Sequence, residues 1–246
     1  MPRSLTYRNY SDIMKFPGLL NAALISVLRT VAGTATTVLS CSFFAYLITK
    51  NELYLRKFVY RLLVVTMYIN AGLIPWYLTM RMYGLNNNFF VYIIPSAISA
   101  YLVILLKTFF EQLPQSLEES ARIDGAGYIT IFTRIILPLS KPVVATVTVF
   151  SAVGQWNAWY DNYILVQNAQ LKTLQLILWE YLNQANALAQ SINRTGSVKG
   201  IEKFIKMTPA SIKMTTTMVV TLPILFVYPF MQKYFVKGIM LGAIKG

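Results

Sequence analysis

Residues Glu111–Pro142 read EQLPQSLEESARIDGAGYITIFTRIILPLSKP, and the rest of the chain is arranged on either side of them. This is the one long polar insertion between apolar runs that carries acids and bases together. Glu111, Glu118, Glu119 and Asp124 face Lys107 at its edge, Arg122, Arg134 and Lys141. Pro114 ends the segment before it. Ser116, with Glu119 three residues on, has capping-box spacing and predicts a helix start there; acids in that first turn suit the positive end of the helix dipole. Gly125 can take the left-handed conformation that stops a helix. Tyr128, Ile131, Phe132 and Ile135 then recur at helical spacing, and Pro138 is expected to close the second helix. Two short helices around a glycine turn, joined to apolar segments at both ends, form a surface for a partner to grip.

Composition agrees with a membrane setting. The chain has 246 residues, 56% hydrophobic and only 13% charged, with a mean hydropathy of +0.51; a soluble domain carries roughly 25% charged residues. The net charge of +13 does not point to nucleic acid. Its bases sit at the ends of apolar runs rather than in a stripe interleaved with stacking aromatics. Cys41 is the only cysteine and the chain has no histidine, which excludes an internal disulfide, a multi-cysteine or His-ligated metal site and a Ser-His-Asp relay.

Five apolar runs follow a polar opening, Met1 to Pro17, that lacks the apolar core of a signal peptide. The first, Leu19 to Ile48, is long enough to cross a bilayer and rich in small residues that let membrane helices approach. Arg29 interrupts it, either packed among helices near the outer end or lining a solute path. The second, Phe58 to Thr79, holds Asn70, Gly72 and Pro75, which predict a break lining a cavity. The third is Phe89 to Phe110, with Pro95, Ser96 and Ser99. The fourth, Val143 to Val166, is the most polar, and the fifth is Met214 to Phe235. Leu171 to Ala189 has partly helical spacing, and Ser191 to Gly200 reads as a flexible tip. The expected fold is all-α: a polytopic membrane protein with about five transmembrane helices. Basic residues on the short loops put 111–142 and the C-terminus inside, with 1–18 and the connection 167–213 outside.

The order Glu119, Ser120, Ala121, then Gly125, then Ile135, Ile136, Leu137, Pro138 resembles the EAA loop of bacterial ABC importer permeases, whose coupling helix docks in a cleft of the ATPase. ARIDGAG, LPLSKPVVATV, QWNAWYDN and the C-terminal LPILFVYPFMQKYFVKGIMLGAIKG are similar to the carbohydrate-uptake, maltose-permease-like branch, nearest its polysaccharide and oligosaccharide members. Ser120 stands where that pattern has a second Ala. The resemblance covers nearly the whole chain and implies ATPase coupling through Glu118, Glu119, Ser120, Ala121, Asp124, Gly125, Ala126, Leu137 and Pro138. It implies a second permease subunit in a heterodimer, two ATPase subunits that hold ATP and Mg, and an extracytoplasmic solute-binding protein. It places residues 19–246 in the cytoplasmic membrane of a bacterium as a multi-pass permease domain, non-catalytic itself, and moving a sugar, oligosaccharide or polysaccharide fragment. The family has six core spans, so the chain reads as one N-terminal helix short, from a downstream start or as a five-span variant.

The energy source must come from outside the chain. No G-x-x-x-x-G-K-[ST] phosphate loop is present, and of the nine acids only Asp161 approaches a span, whereas ion-driven carriers place carboxylates or histidines in the membrane. The alternative, an ion-coupled carrier or channel acting without an ATPase, leaves the 111–142 loop unexplained. A membrane-embedded enzyme finds no paired carboxylates or nucleophile-base set. For the solute path, sugars are held by aromatic faces and by Asn, Asp or Gln bonding to hydroxyls. Trp156, Asn157, Trp159, Tyr160 and Asp161 supply that chemistry, with Asn70 and Gln155 as further candidates. Trp156, Asn157 and Tyr160 are expected near one helix face. An interfacial aromatic belt with a polar packing contact fits the same residues equally well.

Overall fold

The computed structural model describes residues 18–195 together with 214, 217, 218, 220–223 and 225. The expected N-terminal segment, the tip beyond residue 195 and most of the fifth span lie outside them. The described residues are helical, with no strand among them.

Helix α1, Leu19–Thr49, is the axis of the bundle. Its 31 residues rise about 46 Å at 1.5 Å each, more than the thickness of a hydrocarbon core. Its packing is inverted relative to a soluble helix. Ser26, Arg29, Gly33, Thr34, Thr37, Cys41, Ser42 and Ala45 are buried, at the three- and four-residue spacing of one face. Leu20, Leu24, Val31 and Leu39 point outward and are exposed. Small and polar residues inside with leucines outside is the arrangement of a helix solvated by lipid.

The other spans are interrupted. Helix α2, Arg56–Thr66, and helix α3, Leu73–Met82, are the halves of the second span. Between them Gly72 takes φ 84, and its N–H donates to Asn70 Oδ1 at 2.9 Å, so the expected break forms from the expected residues. The third span is not the single helix expected. A 3-10 turn, Phe89–Tyr92, gives way to irregular chain through Pro95, and helix α4 runs only from Ala100 to Phe110. The freed backbone finds partners on α1: Thr37 Oγ1 donates to Ser96 O at 2.8 Å, and Ser99 N–H reaches Cys41 Sγ at 3.3 Å.

Helix α5, Gln115–Ile123, is the short helix of the polar insertion. Helix α6 runs Tyr128–Leu139 and turns by 85° into helix α7, Lys141–Asn157. Pro138 does not close α6 as expected. A π-helical segment at Phe132–Ile136 precedes it, and the widened turn relieves the clash a proline makes with the preceding turn. The bend falls instead at Ser140. The fourth span is also divided, because α7 ends at Asn157 and helix α8 resumes at Tyr160–Leu165. Helix α9, Leu174–Thr195, continues into the stretch expected to be a flexible tip.

Among the described residues, Leu19–Thr49 alone is long and apolar enough to cross a bilayer unbroken; α6 and α7 pass that test only as one bent pair. The largest core cluster joins Cys41, Ala45, Tyr46 and Ile48 of α1 to Leu102, Val103 and Leu106 of α4, Ile131, Phe132 and Ile136 of α6, and Val147 of α7. It lies at the end of the bundle that carries α5.

Candidate functional site

Two regions at opposite ends of α1 gather the chemistry. At one end is α5. Pro114 is its N-cap, with ψ 124 and no side-chain cap, and Leu117 N–H reaches back to Pro114 O at 3.3 Å. The expected capping box therefore does not form: the helix begins at Gln115, so Ser116 lies inside the first turn and the Glu119 N–H that it would cap is already a helical donor. The other terminus closes as expected. Gly125 stands at φ 82, its N–H meets Arg122 O at 3.0 Å, and Ala126 N–H meets Ala121 O at 2.9 Å. This pair of bonds is a Schellman closure.

The nine residues assigned to coupling divide between the two faces of this unit. Ala121, Ala126 and Leu137 pack against the main core cluster, and Glu118 is half-buried and pairs with Lys50. Glu119, Ser120, Asp124, Gly125 and Pro138 are exposed. Beside them stand three apolar side chains absent from the expected set: Leu117, Ile129 and Ile123, the last 86% exposed. For Leu117 and Ile123 the signal was available, since apolar residues in so polar a nine-residue helix need a reason. They exceed what the helix uses to fold.

Ion pairs hold α5 from behind. Lys50 Nζ bonds Glu118 Oε2 and lies 4.1 Å from the centre of the Tyr46 ring. Arg122 donates to Glu52 Oε1 at 2.6 Å. The connecting loop is folded onto α1, with Arg56 donating to Thr49 O at 3.1 Å and to Asn51 Oδ1 at 2.7 Å. Burial pushes the Lys50 ammonium below its ordinary pKa and outweighs the Glu118 carboxylate, which favours the charged form. Donation by Arg122 holds the Glu52 carboxyl below the usual carboxylate range. A recess of about 540 Å³ lies between this loop and α5.

At the other end a cavity of about 1010 Å³ opens between the two helix breaks. Asn70 and Gly72 line it from the first break; Asn157, Trp159, Tyr160 and Asp161 line it from the second. Four of the six solute-path candidates thus meet in one space. Gln155 and Trp156 do not. Trp156 turns away to donate to Val220 O at 3.2 Å, because the break at Ala158 removes it from any common face with Tyr160. Thr66, Thr79 and Trp76 also line it. Trp76 follows Pro75, directly beside the predicted break, and was legible from that position.

Behind the cavity wall sits Arg29, 3% exposed. Its guanidinium grips Asp161 with two bonds, 3.0 Å to Oδ1 and 2.5 Å to Oδ2. It also donates to Gln155 Oε1 at 3.1 Å and to Ala158 O at 3.1 Å, and it lies 4.6 Å from the centre of the Tyr92 ring. Of the two readings of Arg29, the one with the residue packed among helices matches this placement. Tyr92 carries the network onward: its hydroxyl accepts from Asn162 Nδ2 at 2.5 Å, and Asn162 Oδ1 takes the N–H of Thr173 at 2.9 Å. Gln155 Nε2 donates to Ser96 Oγ at 2.6 Å.

Comparison with known proteins gives consistent results. The family described as binding-protein-dependent transport system inner membrane component matches residues 39–241. Protein LplC of Bacillus subtilis (strain 168) is 35% identical over 100% of this chain and 81% of its own length. The polygalacturonan/rhamnogalacturonan transport system permease protein YtcP of the same organism is 35% identical over 100% of this chain and 84% of its own. Among solved structures, a bacterial ABC transporter involved in the import of the acidic polysaccharide alginate contains a similar chain. That chain has a TM-score of 0.83 and 27% identity, and the match covers 96% of this chain and 81% of that one.

Proposed function

The chain belongs to the inner membrane components of binding-protein-dependent transport systems, and on that premise we propose that it is the permease subunit of an ATP-driven saccharide importer, gripped by an ATPase at α5 and passing solute along the cavity between its helix breaks. One observation carries this reading. A short helix outside the apolar bundle is fixed from behind by two ion pairs and a Schellman turn, while its outer face presents Ile123 86% exposed. A helix tied in place with its apolar side uncovered is built for a protein partner.

In this reading residues 111–142 face the cytoplasm, and 1–18 and 167–213 lie outside. ATP and Mg²⁺ are handled by two ATPase subunits. A second permease completes the path as a heterodimer, and a solute-binding protein delivers from outside. The saccharide is supported by the lining: Trp76 and Tyr160 bring aromatic rings to it, Trp159 lines it while stacked on Trp179 at 5.0 Å, and Asn70, Asn157 and Thr79 offer hydroxyl partners. The ion-driven alternative loses ground here. Among the described residues Asp161 is the one carboxylate lining the cavity, and the Arg29 guanidinium already takes both of its oxygens, so it is not a free carrier of a proton or cation.

Purification of the chain from its native membrane, with identification of what accompanies it, tests the docking role. Wild type should bring an ATPase and a second permease. Gly125→Val, which forces a β-branched residue to φ 82, should lose the ATPase while still inserting in the membrane. Normal uptake by that variant sinks the assignment.

A further inference from the structure

We propose that α1 is the transmission element between the two sites: Glu118 and Arg122 of α5 move it through Lys50 and Glu52, and Arg29 delivers that movement to the cavity wall. The inference rests on the importer reading above and adds residues and a path to it.

Three features combine. The two ties on α5 lie four residues apart, on one face of the helix, and Ile123 lies about 100° round the helix from Arg122, toward the outer side. A push on the outer face therefore acts on both ties together. Both lead to the same short stretch, Lys50 and Glu52, which Arg56 locks to the last turn of α1 through Thr49 O. Between Lys50 and Arg29 the helix is unbroken, and their separation of 21 residues spans about 31 Å. Among the described residues the second and third spans are interrupted, and α1 is the longest unbroken helix between the two sites.

At its far end Arg29 touches the wall at three points. Gln155, Ala158 and Asp161 straddle the break, one before it, one in it and one after it. The break is a hinge of two residues, since Ala158 has left the helix at ψ 127 and α8 begins again at Tyr160. Its carbonyl, deprived of a helical partner, is bonded by Arg29. The same break sets Asn157, Trp159, Tyr160 and Asp161 along the cavity. A shift or rotation of α1 cannot occur without moving this wall or breaking four hydrogen bonds. Arg29 is thus a positioning residue, acting on solute through Asp161 and the hinge.

The test uses the complete transporter, with its ATPases and partner permease, in lipid nanodiscs. Cys41 is replaced by Ser, and spin labels are placed at positions 70 and 160, across the cavity. Their distance distribution is measured without nucleotide and after trapping with ATP and vanadate. Trapping should shift the wild-type distance. Arg29→Gln should lose that shift. Glu52→Arg should reduce it to less than half, and adding Arg122→Glu, which restores an opposite-charge pair, should recover it. Glu52 is 51% exposed, so this pair of variants reports even if Arg29→Gln fails to fold. A full wild-type shift in Glu52→Arg, or no recovery in the double exchange, overturns the role of α1 while leaving the importer reading standing. A wild-type complex whose labels ignore nucleotide overturns the ATP-driven reading, and the transmission role with it.

Discussion

Two arginine–carboxylate pairs occupy opposite ends of the molecule and differ in almost every physical respect. Arg29 and Asp161 have side chains 4% and 19% exposed; Arg122 and Glu52 are 39% and 51% exposed. The first pair sits in a network that satisfies the guanidinium on every side, in surroundings with little water to replace a lost partner. The second stands at the surface, where solvent takes over whenever it opens. The comparison separates holding a structure from passing on a movement. A buried pair is costly to break and so fixes geometry, whereas an exposed pair adds little stability and still links two elements in register.

The largest effect should come from breaking the buried pair. Arg29→Met leaves the Asp161 carboxylate without its partner and the Ala158 carbonyl without a donor, and removal of one member of such a pair costs about 3–5 kcal/mol. Thermal or denaturant unfolding of the purified chain in detergent should register that loss. Arg29→Lys should fall between, because an ammonium keeps the charge but cannot reproduce the two-pronged grip and the further bonds to Gln155 and Ala158. Equal stability of the Met and Lys variants would show that the network, and not the charge, decides the cost.

A second, smaller effect tests how tightly that network is packed. A Cβ on Gly33 would lie 2.6 Å from Gln155 Nε2 and 2.7 Å from its Cδ. The amide end of Gln155 is flexible in principle, but it is held by Arg29 on one side and Ser96 on the other. Gly33→Ala should therefore cost about 1–3 kcal/mol, the range for overpacking a full site, with the loss partly shared with that of Arg29→Met in a double-variant cycle. Full additivity of the two would show that Gly33 and Arg29 act on different contacts.

The two regions also differ in how far they could be read from the chain. Helix α5 is local: Pro114, Glu118 of its first turn and Gly125 are within a few residues of one another, and they set its limits. The break at Asn70, Gly72 and Pro75 is legible for the same reason, since its signals belong to the residues that form it. Ser116 misled because Pro114 took the N-cap two residues earlier, and Pro138 misled because a π turn upstream made room for it. The break at Ala158 carries no such signal. Neither proline nor glycine marks it, and its stranded carbonyl is satisfied by Arg29, 129 residues away. Periodicity reports which face of a helix is inward, not what meets it there, so Arg29 could be placed but its partners could not.

The smallest expected effect is on the exposed pair, and it is the most informative beside the others. Glu52→Gln should change stability by at most about 1 kcal/mol, as for other surface pairs, and added salt should shrink even that. Its pH dependence has a definite sign. Arg122 depresses the folded-state pKa of Glu52 below the ordinary 4.5, so the contribution is present in full above that value and is lost as pH falls through the lower folded value. Between neutral pH and 5 the pair should therefore contribute a constant amount, and an unfolding series that compares wild type with Glu52→Gln should run parallel across that interval and converge only below it. Divergence above pH 5 would mean that a group other than Glu52 controls the link. If Glu52→Arg nonetheless removes most of the movement at the cavity, the worth of the pair lies in what it transmits and not in what it stabilises.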